Sequence, residues 1–93
     1  MNYKAFIDSL QSDQVPRLST WLEALWYDAK GNWQKAHTLI QDINDQNSSW
    51  IHAYLHRKEG DAFNAGYWYR KAGKTMPDLS LEKEWEMIVK AML

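Results

Sequence analysis

His52 and His56 stand one helical turn apart, Glu59 follows on the same side, and His37 lies in the segment before them. Imidazoles at i and i+4 project from one side of a helix and can share a zinc ion. The run lacks the HExxH pattern and any further ligand motif, and polar packing or groove lining accounts for such a pair more often. No metal and no cofactor is expected. An acid–base or nucleophilic site would need a histidine, a carboxylate and a hydroxyl in register. His56, Glu59, Asp61, Tyr67 and Arg70 could converge around Gly60, but Asp61 also reads as a helix cap and Glu59 with Arg70 as a surface pair. Ser19, Ser48 and Ser49 have capping roles of their own. The chain has no cysteine, hence no thiolate nucleophile, thiolate metal site or disulfide framework. Gly31 and Gly60 are isolated, so there is no glycine-rich phosphate loop.

A second constellation is aromatic. Trp50, Tyr54 and Arg57, at i, i+4 and i+7, share one helical face. They could form an apolar floor with a guanidinium beside it, suited to a peptide, a carboxylate or a sugar ring. The plainer account makes both rings core and the arginine solvated. Six Trp, five Tyr and two Phe in 93 residues exceed what so small an interior readily hides. Such a surplus points to a groove or to a homodimer interface, where Trp, Tyr and Arg are enriched. Arg57, Lys58, Arg70, Lys71 and Lys74, interleaved with Tyr67, Trp68 and Tyr69, form a basic–aromatic cluster on which bases could stack. A net charge of −1 and a pI near 6.3 argue against nucleic acid or an anionic membrane held by bulk charge.

The elements that must position these residues are short amphipathic helices. Residues 2–14 place Tyr3, Phe6, Ile7 and Leu10 at helical spacing, and Val15-Pro16 ends the run. Leu18 to Lys30 follows, with Thr20 and Glu23 spaced as a capping box. Gly31 supplies a left-handed corner and Asn32 can cap the next helix, Trp33 to about Asn44. The polar stretch 42–49 reads as a loop, with Ser48 or Ser49 capping a helix from Trp50 to Glu59. Gly60-Asp61 repeats the corner and opens a helix from Ala62 to about Lys74, whose Gly66 and Gly73 suggest close approach of a neighbour. After Met76-Pro77, Asp78 or Ser80 opens a last helix with Leu81, Trp85, Ile88, Val89 and Met92 on its apolar side. No apolar run approaches the roughly 20 residues needed to span a bilayer, and the N-terminal stretch is unlike a signal peptide. A cytoplasmic location is expected.

Shifting the chain by 29 residues lays Trp50 on Trp21, Ala53 on Ala24, Gly60 on Gly31 and Ala65 on Ala36. A helix, a one-glycine corner and a second helix with a small residue facing back thus occur twice. With Tyr27, Ile40, Tyr69, Ala72 and Pro77 these positions resemble the tetratricopeptide-type helical repeat over about residues 19–77. The first unit is shorter than that family's usual 34-residue period. The resemblance implies a surface made by the first helix of each unit that binds extended peptides; here it would hold Trp21, Leu25, Asp28 and Ala29, then Trp50, Tyr54, Arg57 and Lys58.

The expectation is therefore an all-α single domain over 1–93 with five or six antiparallel helices. It comprises repeat units at about 19–45 and 48–77 and a capping helix at 80–92. It is expected to act as a non-catalytic, self-associating interaction module that binds a protein or peptide through Trp21, Leu25, Trp50, Tyr54, Arg57 and Lys58, with no nucleic acid and no membrane. The alternative is a small-ligand or metal-binding protein, even an enzyme, using His52, His56, Tyr67 and Arg70.

Overall fold

Six helices form where the apolar spacing requires them, and each is opened by a side chain that accepts from an otherwise free amide. The computed structural model describes residues 1–93: α1 (Tyr3–Ser9), α2 (Thr20–Ala29), α3 (Trp33–Ile40), α4 (Gln46–Lys58), α5 (Ala62–Lys71) and α6 (Leu81–Met92). The caps are Asn2, Ser19, Asn32, Asp45, Asp61 and Ser80. Two expected caps move. Ser19, not Thr20, accepts from Leu22, and α4 starts a turn early because Asp45 accepts from Ser48. That shift frees the Ser48 hydroxyl to accept the Trp21 indole N–H at 3.0 Å. Helix α1 is shorter than expected, because the amides of Leu10, Gln11 and Ser12 each bond to the carbonyl three residues back and tighten the chain out of the α-helix.

Gly31 and Gly60 make the two tight corners. Their φ angles are +84° and +89°, in the left-handed region that a side chain disfavours. Beyond each glycine the next amide reaches back over the helix end: Asn32 to the Tyr27 carbonyl and Asp61 to the His56 carbonyl, both at 2.9 Å. Gly73 is a third such corner (φ +71°) and lies past the end of α5, not inside it. Gly66 is the one glycine within α5, and an added Cβ would meet only Arg70 of its own helix. Close approach there rests instead on the fully enclosed Ala65. A Cβ at Gly60 meets nothing, so Gly60→Ala is expected to cost backbone strain alone, about 1–2 kcal/mol. Urea unfolding at equilibrium checks it.

The fold is all-α. Hairpins α2–α3 and α4–α5 pack side by side, and α4 is the hub, touching α2, α3, α5 and α6. Helix α6 does not extend the row of hairpins. It folds back across α2 and α4, with Glu84, Ile88 and Val89 buried beneath it. Helix α1 closes the open side through Phe6, whose ring lies 6.0 Å from that of Trp85. No helix is long and apolar enough to cross a membrane.

Candidate functional site

The fold-back of α6 decides the fate of the expected aromatic floor. Trp50 is 8% exposed, Tyr54 3% and Leu25 0%; all three belong to the core. This corrects the expectation of an open floor. The chain's own helix α6 occupies the place expected for a partner. The Trp85 indole on α6 donates to the Leu25 carbonyl at 3.1 Å. Glu84, fully buried, receives Arg57 Nη1 at 2.8 Å, the Trp50 indole at 3.2 Å and the Tyr69 hydroxyl at 2.6–2.8 Å. Arg57 also donates to the Leu79 carbonyl. Burial, then the bond to Glu84, pushes the Tyr69 phenol well above its ordinary range.

The aromatic surplus is absorbed by the same device. Five of the six indoles donate hydrogen bonds within the chain, from Trp21, Trp26, Trp33, Trp50 and Trp85. They act as ties between helices as well as core volume. Only Phe63 and Tyr67 remain substantially exposed among the aromatic residues.

Part of the expected surface survives at its edge. Asp28, Ala29, Tyr54 and Lys58 line a cleft of about 410 Å³ between α1 and α6, together with Tyr3, Ile7, Leu10, Leu81, Glu82, Trp85 and Glu86. Asp28 is buried and pairs with Lys58 through Oδ1 at 2.9 Å, whereas Oδ2 has no hydrogen-bond partner. Burial first, then the charge and close approach of Asp28, raises the Tyr54 phenol, although the Tyr54 hydroxyl makes no well-formed hydrogen bond to Oδ2.

The other side of α4 carries the histidines. His52 and His56 lie two residues from Tyr54 and Lys58, a turn of roughly 200° around the helix. The Nε2 atoms of His37 and His52 are 3.0 Å apart. Each of the three rings presents a nitrogen within 4.8 Å of the others. Trp33 stacks on His37 (4.9 Å between centroids, 14°) and Trp68 on His52 (3.8 Å, 18°). Glu59 lies 2.6 Å from His56 Nδ1. Burial pushes the His52 imidazole down to about 3, helped by charge on His37, His56 and Lys71. It lowers His37 as well, with His56 adding to the effect.

His37 was the member that sequence spacing did not join to the others. The expected companions of His52 and His56 do not join them either. Arg70 lines a separate cleft with Trp50, Lys74 and Glu84, and Tyr67 meets the site only through the edge of Trp68. The anticipated Glu59–Arg70 surface pair is absent because Glu59 turns to His56. No family model matches the chain, and neither a curated protein nor a solved structure matches it.

Proposed function

We propose that the protein is a small non-catalytic interaction module, tetratricopeptide-like in its paired hairpins, whose α1–α2–α4–α6 cleft receives a short segment of a partner protein. The observation that carries this reading is the makeup of that cleft. Tyr3, Ile7, Leu10, Leu81 and Trp85 give apolar walls, and the buried Asp28 stands behind them with Tyr54. Glu82 adds an unpaired negative charge and Glu86 one shared with Lys90 at 2.7 Å, while the one cation lining the cleft, Lys58, is paired with Asp28. Charge complementarity therefore selects an aliphatic segment bearing a lysine or arginine. The volume lies toward the small end of ligand pockets, which suits two or three side chains. Of the acid–base candidates His56, Glu59 and Asp61 come together; the non-catalytic part of the reading is supported by Arg70 lining a separate cleft, apart from them. Homodimerisation belongs to the same proposal on a narrower basis, since Phe63 and Tyr67 are the aromatics left exposed; light scattering at two concentrations reads it.

Selection of a random peptide library on the purified protein is expected to enrich sequences with a basic residue between aliphatic ones. Ala29 is exposed in the cleft, so Ala29→Arg fills it with bulk and opposing charge. It is expected to weaken the selected peptides at least tenfold, about 1.4 kcal/mol, with the melting temperature unchanged. Peptides without a basic residue, or equal binding to Ala29→Arg, would remove the proposal.

A further inference from the structure

We propose that His37, His52 and His56 form a binding site for a borderline divalent transition-metal ion, zinc first, with Glu59 as the positioning residue. This goes beyond the cleft reading and does not depend on it, since the two sites lie on opposite sides of α4. Zinc bonds to imidazole at about 2.0–2.1 Å, so two nitrogens on one tetrahedral ion stand roughly 3.3 Å apart. The His37 and His52 nitrogens are 3.0 Å apart, and the third ring offers a nitrogen within 4.8 Å of both. His56 stacks on His52 with 4.8 Å between centroids and 23° between planes, so binding requires the His56 ring to turn out of that stack to bring all three to one ion.

The surroundings hold two of the rings in place. Trp33 and Trp68 pack flat on His37 and His52 and fix their planes. The Trp33 indole is itself tied to the Leu55 carbonyl at 2.8 Å. Glu59 accepts from His56 Nδ1, which selects the tautomer whose Nε2 lone pair is free for a metal. A carboxylate behind a metal-binding imidazole is the usual way such ligands are oriented and made more basic. Asp61 groups with His56 and Glu59 and adds negative charge beside His56, while Lys71 lies near His52.

The donor set also selects the cation. Three imidazoles favour zinc, nickel, copper or cobalt over magnesium or calcium, which prefer oxygen. Three protein ligands leave a fourth position for water or an outside donor, and His37 and His56 are both only half-buried. A bound ion would tie α3 to α4, joining one hairpin to the next.

Calorimetric titration of the untagged, metal-free full chain with zinc chloride tests the site. Saturable binding of one ion per chain is expected, with no binding of magnesium. The chain has three histidines in all, so each variant reports cleanly. His37→Ala and His56→Ala are expected to weaken zinc at least 100-fold, and Glu59→Gln about 10–100-fold. Zinc is expected to raise the melting temperature of the parent and leave that of His56→Ala unmoved. Should His52→Ala fail to fold, the variants of the less buried His37 and His56 still decide the matter. Cobalt(II) is expected to give visible absorption in the parent and lose it in His56→Ala. Zinc uptake that is weak, unsaturable or the same in His56→Ala overturns the site, and unchanged affinity in Glu59→Gln overturns the role of the carboxylate. His56→Ala is expected to bind cleft peptides normally and Ala29→Arg to bind zinc normally, so failure of one site is separable from failure of the other.

Discussion

Arg57→Met is expected to destabilise the fold by about 3–5 kcal/mol, a large part of the roughly 5–15 kcal/mol that small domains possess. The effect comes from what is left behind. Glu84 is 0% exposed and its carboxylate is shared by Arg57, Trp50 and Tyr69. Of these only Arg57 carries charge. Methionine keeps much of the apolar stem, so the loss reports the stranded carboxylate and not a cavity. Adding Glu84→Gln to Arg57→Met is expected to recover part of the loss, because a neutral amide can still accept from Trp50 and Tyr69. Urea unfolding of the two variants and the parent gives the comparison. A loss under about 1 kcal/mol for Arg57→Met would mean that the charge is not held here, and that something else fastens α6 to α4.

The hairpins were legible because their corners leave little choice. A glycine followed by Asn or Asp, between two apolar-periodic runs, supplies both a left-handed residue and a cap, and Gly31-Asn32 and Gly60-Asp61 do so in the structure. Helix starts were less legible where good caps crowd together. Ser19 and Thr20 are equivalent on paper, and Asp45 precedes Ser48 and Ser49 by one turn. Sidedness was the real failure. A stripe such as Trp21, Leu25, Trp50 and Tyr54 reads the same whether a partner or the chain's own α6 covers it. One signal was available: Glu84 lies three residues after Leu81 and four before Ile88, which places it on the apolar side of α6 and not among the solvated charges. The histidine cluster was half legible. His52 and His56 share a face by spacing alone, but adding His37 requires the register of α3 against α4, which depends on how Trp33 and Ala36 pack.

Trp50→Ala is expected to cost about 3–5 kcal/mol, and it separates the two readings of this residue. Were Trp50 the open floor of a groove, alanine would leave the melting temperature almost unchanged and abolish binding only. In the structure the indole fills core space between α4 and α6, donates to Glu84, and lies under Lys74 Nζ at 4.1 Å from the ring centre. Its removal therefore opens a cavity and strips one donor from a buried carboxylate. Trp50→Phe isolates the second effect, with an expected loss of about 1.5–3 kcal/mol for a hydrogen bond to a charged group. Because Trp50 and Arg57 act on the same carboxylate, Trp50→Phe and Arg57→Met should not combine additively. A coupling of at least about 0.5 kcal/mol in the double-mutant cycle is expected. Strict additivity would show that the two contacts act independently, and the account of Glu84 as the point where α6 is fastened across α4 would have to be given up.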